Sequence, residues 1–168
     1  MTPAFSEENE ARLQALLGRY PDRRAALIPA LVLANRQFGY LSREVMEYVA
    51  MRLGLPESYV LNTATFYTLL HKHPVGRYHI QVCVNVSCYL RDADHLADHL
   101  KRILGIGFGE VTPDGLFSLE GVQCLASCGT APAIQVNDDY HEQMTVEKVE
   151  RLIESLRREA RGGSGGNA

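Results

Sequence analysis

Four cysteines fall in two close pairs, Cys83-x4-Cys88 and Cys124-x3-Cys128, with 35 residues between the pairs. Each pair is short enough to clasp one object. Ser127, Gly129 and Thr130 beside the second pair are small, which lets backbone N–H groups approach bridging sulfides and stabilise an anionic cluster. Three chemistries use such a donor set. A structural zinc site built on four cysteines usually shows two CxxC-like knuckles, and the steps here are longer. Two disulfides are disfavoured in a chain with no secretion signal, and the CxxC of a thioredoxin-type redox pair is absent. Iron with sulfide fits best, because four thiolates complete two tetrahedral irons. A zinc-stabilised interaction module without redox work stands as the alternative class. A visible spectrum separates them, since zinc is colourless and a [2Fe-2S] protein is reddish-brown.

Other residues invite chemistry less strongly. His95 and His99 stand i, i+4, but Leu96 follows His95 where a zinc protease motif has Glu; with Asp94 and Asp98 they are expected on a solvated helix face. His71 and His73 flank Lys72 before Pro74 and are expected to be linker residues. Phe66 and Tyr67 are expected to pack in a core or a domain interface.

Periodicity supplies the elements that must position the cysteines. Through the first third of the chain, apolar residues recur at three- and four-residue steps with turn signals between them. One helix follows Ser6, buries Leu13, Leu16 and Leu17, and stops at Tyr20-Pro21. A second has Asp22 as N-cap, carries Leu27, Ile28, Leu31, Val32 and Phe38 inward, and ends at Gly39, with Pro29 expected to bend it or cost a hydrogen bond. Ser42 caps a third with Val45, Met46, Val49 and Leu53 on one stripe, and Pro56 opens a fourth. After Pro74 the period becomes two: Tyr78, Ile80, Val82 and Val84 alternate with His79, Gln81 and Cys83 as a strand. A helix is expected from about Tyr89 to Leu104, strands at Leu116 to Val122, Ala133 to Val136 and Tyr140 to Met144, and a last helix capped by Thr145. The class is α+β, a helical bundle over 1–73 followed by a small sheet with two helices over 74–161. Residues 162–168, rich in Gly and Ser, are expected to be disordered.

Composition narrows the function classes. With 46% hydrophobic residues among 168, the chain can bury a real core. A net charge of -3 and no Lys/Arg block beyond two neighbours argue against nucleic acid or an anionic membrane as partner. Neither a leader pattern nor the roughly 18 apolar residues of a membrane span is seen, so a cytosolic chain is expected. No GxGxxG or flavin fingerprint occurs, so an NADH site is not expected on this chain.

The stretches Gln81-Val82-Cys83-x4-Cys88, Val111 to Ser118, and Val122-Gln123-Cys124-Leu125-Ala126-Ser127-Cys128-Gly129-Thr130-Ala131-Pro132 closely resemble the 24 kDa subunit of respiratory complex I, which belongs to its NADH dehydrogenase module. Thr63-Ala64-Thr65-Phe66-Tyr67 is similar to this family too, so the resemblance runs from Tyr20 to Glu159. It implies a thioredoxin-like [2Fe-2S] ferredoxin domain. It further implies one cluster on Cys83, Cys88, Cys124 and Cys128, and, as partner, the complex I subunit that binds NADH and FMN. The protein would then be a one-electron relay in a proton-pumping NADH:quinone oxidoreductase of the respiratory chain, a translocase, with no NADH or quinone site of its own. Its place would be the hydrophilic arm, cytoplasmic and peripheral to the inner membrane. The runner-up is the equivalent diaphorase subunit of an NAD-linked formate dehydrogenase or bidirectional hydrogenase. Pro132 sits where thioredoxin folds often hold a cis proline; the rarity of cis X-Pro bonds favours trans. The helical domain, without a donor set, is expected to dock the partner.

Overall fold

The computed structural model describes residues 3–162 and divides the chain into two compact units, Met1–Pro74 and Val75–Ala168. In the first, α1 (Glu7–Arg19), α2 (Leu27–Phe38), α3 (Arg43–Leu53) and α4 (Glu57–Phe66) bury a shared stripe that includes Leu13, Leu31, Val49, Leu53 and Val60. The caps follow local chemistry. Ser6 and Ser42 accept from the N–H of Asn9 and Val45, and Gly54 ends α3 in the left-handed region that only glycine adopts freely. A short 3-10 turn, Arg23–Ala26, precedes α2. Pro29 thereby falls in the first turn of α2, where backbone N–H groups lack helical partners anyway, so it costs no hydrogen bond.

The second unit is a five-stranded sheet in the order β2-β3-β1-β4-β5, formed by β1 (Tyr78–Cys83), β2 (Glu110–Val111), β3 (Phe117–Val122), β4 (Ile134–Val136) and β5 (Asp139–His141). Central β1 runs parallel to β3, with Cys83 opposite Val122, and antiparallel to β4. The helix expected from about Tyr89 to Leu104 forms as α6 (Ala93–Leu104), starting four residues later, and a short helix that was not expected, α5 (Val86–Tyr89), precedes it. Between them lies Asp92, whose φ of 65° cannot continue a right-handed helix. α6 and the closing α7 (Val146–Gly162) set Leu96, Leu100, Val149 and Ile153 into one core with Tyr78, Ile80, Val82, Phe117, Leu119 and Ile134. β2, only two residues long, gave no periodic signal. Gly162 is helical rather than part of a tail, and residues 163–168 of the expected tail lie outside the described residues. Gly76 passes so close to β3 that a Cβ there would lie 2.4 Å from the carbonyl carbon of Phe117. Among the described residues no helix is long and apolar enough to cross a membrane.

Two side chains depart from expectation. His99 is buried at the α6–α7 seam, not solvated: its Nδ1 accepts from Arg102 at 2.7 Å, and its Nε2 lies 3.0 Å from Glu150 but outside hydrogen-bond geometry. Only His95 faces solvent, because the amphipathic arc of α6 carries Leu96 and His99 inward together. Phe66 is 78% exposed, whereas Tyr67 packs partly against the helical core. α4 buries Val60 and Ala64, which leaves position 66 on its outer side.

The sheet face away from that core is polar. His79 on β1, 5% exposed, meets Ser118 Oγ at 2.8 Å through Nδ1 and Glu120 at 3.1 Å through Nε2. Burial holds its imidazole below the ordinary value, outweighing the opposing pull of Glu120. The unfolded chain therefore takes up this proton first. The resulting stability is present above about pH 6.5 and is lost as pH falls toward the folded value. Urea midpoints taken between about pH 7.5 and 5 should fall with acid, and fall less in a His79→Gln chain. An equal drop in both would show that His79 carries none of it.

Candidate metal centre

Each cysteine owes its place to an element end. Cys83 is the last residue of β1, where the Cys83 N–H still donates to Ala133. The backbone then turns at Asn85, whose side chain accepts from Val86 N–H at 2.7 Å and starts α5. This brings Cys88 back toward Cys83, close enough for each thiol to shift the acidity of the other. Cys124 follows the end of β3 with Gln123 between, and Cys128 opens a short 3-10 turn, Cys128–Thr130. Cys83 and Cys88 are buried, while Cys124 and Cys128 are exposed. Leu125, Ala131, Ala133 and Ala93 make a dry wall behind the buried pair, with Val122 against it.

Backbone donors converge on the sulfurs. Burial pushes the Cys83 thiol up, but N–H groups of Asn85 and Leu125, joined by Cys88, outweigh it and hold the thiol below its usual range. Cys88 is pushed up by burial, against one bond from the Ala133 N–H, and further by the charges of Cys83 and Cys128. That last effect places Cys128 within electrostatic reach of Cys88. Ala126 takes a φ of 57° and donates its N–H to Cys124 Sγ at 3.2 Å. Four sulfurs, each a thiolate donor when deprotonated, and at least four backbone N–H groups directed at three of them suit an anionic iron-sulfur group. Among the described residues, no three His, Cys, Asp or Glu side chains are drawn together tightly enough to hold a single ion.

The Ala131–Pro132 peptide beside this loop is cis, a correction to the expected trans bond; an X-Pro amide pays only about 0.5–1 kcal/mol for cis, so local packing decides. Residue types alone did not point to Asn85, Ala126 or Glu142, the last of which bonds to the second cysteine loop. Only Asn85, as a helix N-cap type, carries a local signal.

The family model described as thioredoxin-like [2Fe-2S] ferredoxin matches residues 13–157. The chain belongs to this family. Among relatives of this ferredoxin is an NADH-quinone oxidoreductase subunit of Rhizobium meliloti (strain 1021), 48% identical over 145 residues, 86% of each chain. The NADH-quinone oxidoreductase subunit 2 of Thermus thermophilus is 43% identical, over 91% of this chain and 86% of its own. An NADH-quinone oxidoreductase subunit of Rickettsia bellii is 42% identical, over 92% and 94%. Among solved structures, an NAD+-reducing [NiFe]-hydrogenase in the H2-reduced state superposes with a TM-score of 0.66 at 22% identity. That match covers 76% of this ferredoxin but only 22% of the hydrogenase chain, and it shows the fold alone.

Proposed function

We propose that this ferredoxin is the electron-carrier subunit of an NADH:quinone oxidoreductase, with one [2Fe-2S] cluster ligated by Cys83, Cys88, Cys124 and Cys128. The observation that carries this reading is that the two cysteine pairs sit at the same end of the paired strands β1 and β3, Cys83 opposite Val122 and Cys124 two residues beyond it, with the Ala126 N–H donating to Cys124 Sγ. The bound cluster supplies one-electron chemistry. Cys83 and Cys88, set against the apolar wall, and the exposed Cys124 and Cys128 would hold it, with the exposed pair turned to where a redox partner can approach. That partner, in this reading, is the NADH- and FMN-binding subunit of the same complex. The exposed Phe66 and Leu69 offer the helical unit an apolar surface for docking it. The names of relatives at 42–48% identity support the quinone-linked complex over the hydrogenase or formate dehydrogenase. The protein would be held by contacts with other subunits in a peripheral arm on the cytoplasmic side.

Potential tests the assignment. Four thiolates give the oxidised cluster a charge of about -2 and the reduced one about -3, so unbalanced negative charge disfavours reduction. No Lys or Arg lies between Cys83 and Cys88 or from Gly121 to Asp139, whereas Glu120, Asp138 and Asp139 stand close in sequence and Arg91 alone follows the first pair. The midpoint is expected in the lower half of the roughly -700 to +450 mV range of such centres. The purified chain should be reduced by dithionite and not by NADH, having no flavin to divide a hydride. A midpoint above zero in an EPR-monitored titration, or reduction by NADH in flavin-free buffer, would count against the proposal. A colourless protein holding zinc would replace it.

A further inference from the structure

The loop bearing the second cysteine pair is tied to the sheet by one carboxylate. Glu142 follows β5, and its Oε1 accepts from Ser127 Oγ and, at 2.6 Å, from Thr130 Oγ1. Those two hydroxyls lie 2.7 Å apart, one on the residue before Cys128 and one two residues after it. Two hydroxyl protons serve these three oxygens, so both bonds to Glu142 are made together when both protons point at its Oε1, an arrangement that an ionised carboxylate strengthens. The neighbouring backbone completes the clasp. Gln143 N–H donates to Thr130 O at 2.7 Å, and Met144 N–H donates to Pro132 O at 3.0 Å. Gln143 takes a φ of 48°, outside the extended range, at the point where these bonds are made.

We infer that Glu142 is a positioning residue for the iron-sulfur site: it holds the Cys124–Thr130 loop in ligating shape, and its charge beside Cys128 lowers the potential of the cluster. The inference rests on the ligand assignment proposed above. The bonds from Ser127, then Thr130, hold the Glu142 carboxyl below the usual carboxylate range, so the charge is present at neutral pH. No Lys or Arg occurs from Cys124 to Met144, and the Lys148 ammonium of α7 donates to Gln143 O at 2.8 Å, not to this carboxylate. An added electron is therefore disfavoured by this charge more than by one placed far along α7.

The test uses the full chain with its cluster reconstituted anaerobically, in four forms: wild type, Glu142→Gln, Glu142→Ala, and Glu159→Gln as a remote charge control. Three readouts are taken: the midpoint potential, the rate of iron release to a ferrous chelator, and amide exchange of the 124–130 loop in the cluster-free chain. Glu142→Gln, which keeps an acceptor oxygen and removes the charge, should raise the midpoint while retaining the cluster. Glu142→Ala should raise it as well, release iron on the order of 10-fold faster, as loss of support around metal ligands does, and exchange faster in the loop even without the cluster. Glu159→Gln should match wild type in all three. Midpoints in both Glu142 variants equal to wild type would overturn the tuning role; unchanged iron release and loop exchange in Glu142→Ala would overturn the positioning role. A wild-type chain that binds no [2Fe-2S] cluster would overturn the ligand assignment itself, and this inference with it. If Glu142→Ala fails to fold, Ser127→Ala, which removes one arm of the clasp, is expected to show the faster exchange, and its absence would be the same refutation.

Discussion

A Cys128→Ala chain is expected to lose its reddish-brown colour and fall from about two bound irons to near none, since a two-iron cluster takes four thiolate donors. Cys128 makes the sharpest of the four substitutions because its side chain is exposed and lies outside the apolar wall formed by Leu125, Ala131 and Ala133. Replacing it leaves the core of the unit untouched, so any loss of iron reports ligation and not folding. Far-ultraviolet circular dichroism should be unchanged. Cys128→Ser, which keeps a smaller and harder donor, should retain a weakened cluster with altered absorption. Exchange of Cys88 is less clean, because that side chain is 2% exposed and its loss also opens a cavity. A Cys128→Ala chain with a full complement of iron and an unchanged spectrum would remove this residue from the ligand set.

Phe117→Ala should cost the cluster-bearing unit about 3–5 kcal/mol, the range for emptying a buried aromatic site. That is a large part of the roughly 5–15 kcal/mol by which small domains are stable. The ring is 1% exposed, packs 5.7 Å from the Tyr78 ring, and lies beneath the Arg157 guanidinium. Its backbone is equally committed, donating to Thr112 Oγ1 at 2.9 Å and accepting from Thr112 N–H at 2.8 Å. β3 begins at this residue and leads directly into Cys124, so a slack core should also shorten the lifetime of the bound cluster. Urea unfolding with separate probes for the two units measures the effect. A loss below about 1 kcal/mol would mean that the neighbouring side chains collapse into the space.

Much of the architecture was legible because it is local. Ser6, Ser42 and Thr145 cap helices by bonding to N–H groups three residues on, which requires no tertiary partner. Gly39 and Gly54 end helices through backbone freedom that belongs to the residue itself. The period-two pattern of Tyr78 to Cys83 marked β1, and the family motifs around the cysteines carried the expectation of a thioredoxin-like ferredoxin that the family match bears out.

What failed was decided at a distance. The helix expected from about Tyr89 starts only at Ala93, after the positive φ of Asp92, because the chain first brings Cys88 back on α5 and then lays Leu96 and Leu100 of α6 on the sheet. His99 is buried since the arc of α6 that α7 covers is set by how the two helices pack, and polarity alone gives no sign of it. The cis bond at Pro132 follows from packing around an amide with only a weak preference of its own. By itself the sequence determined the donor types, their two short steps and the elements that flank them, because these depend on residues within a few positions of one another. Only the tertiary structure decided that Cys83 and Cys88 are buried and Cys124 and Cys128 exposed, that Leu125 and Ala133 lend N–H groups to the buried pair, and that Glu142 grips the loop around Cys128. The Leu125 and Ala133 bonds to the buried pair and the Glu142 clasp join residues at least 12 positions apart, and no local pattern encodes a hydrogen bond across such a span.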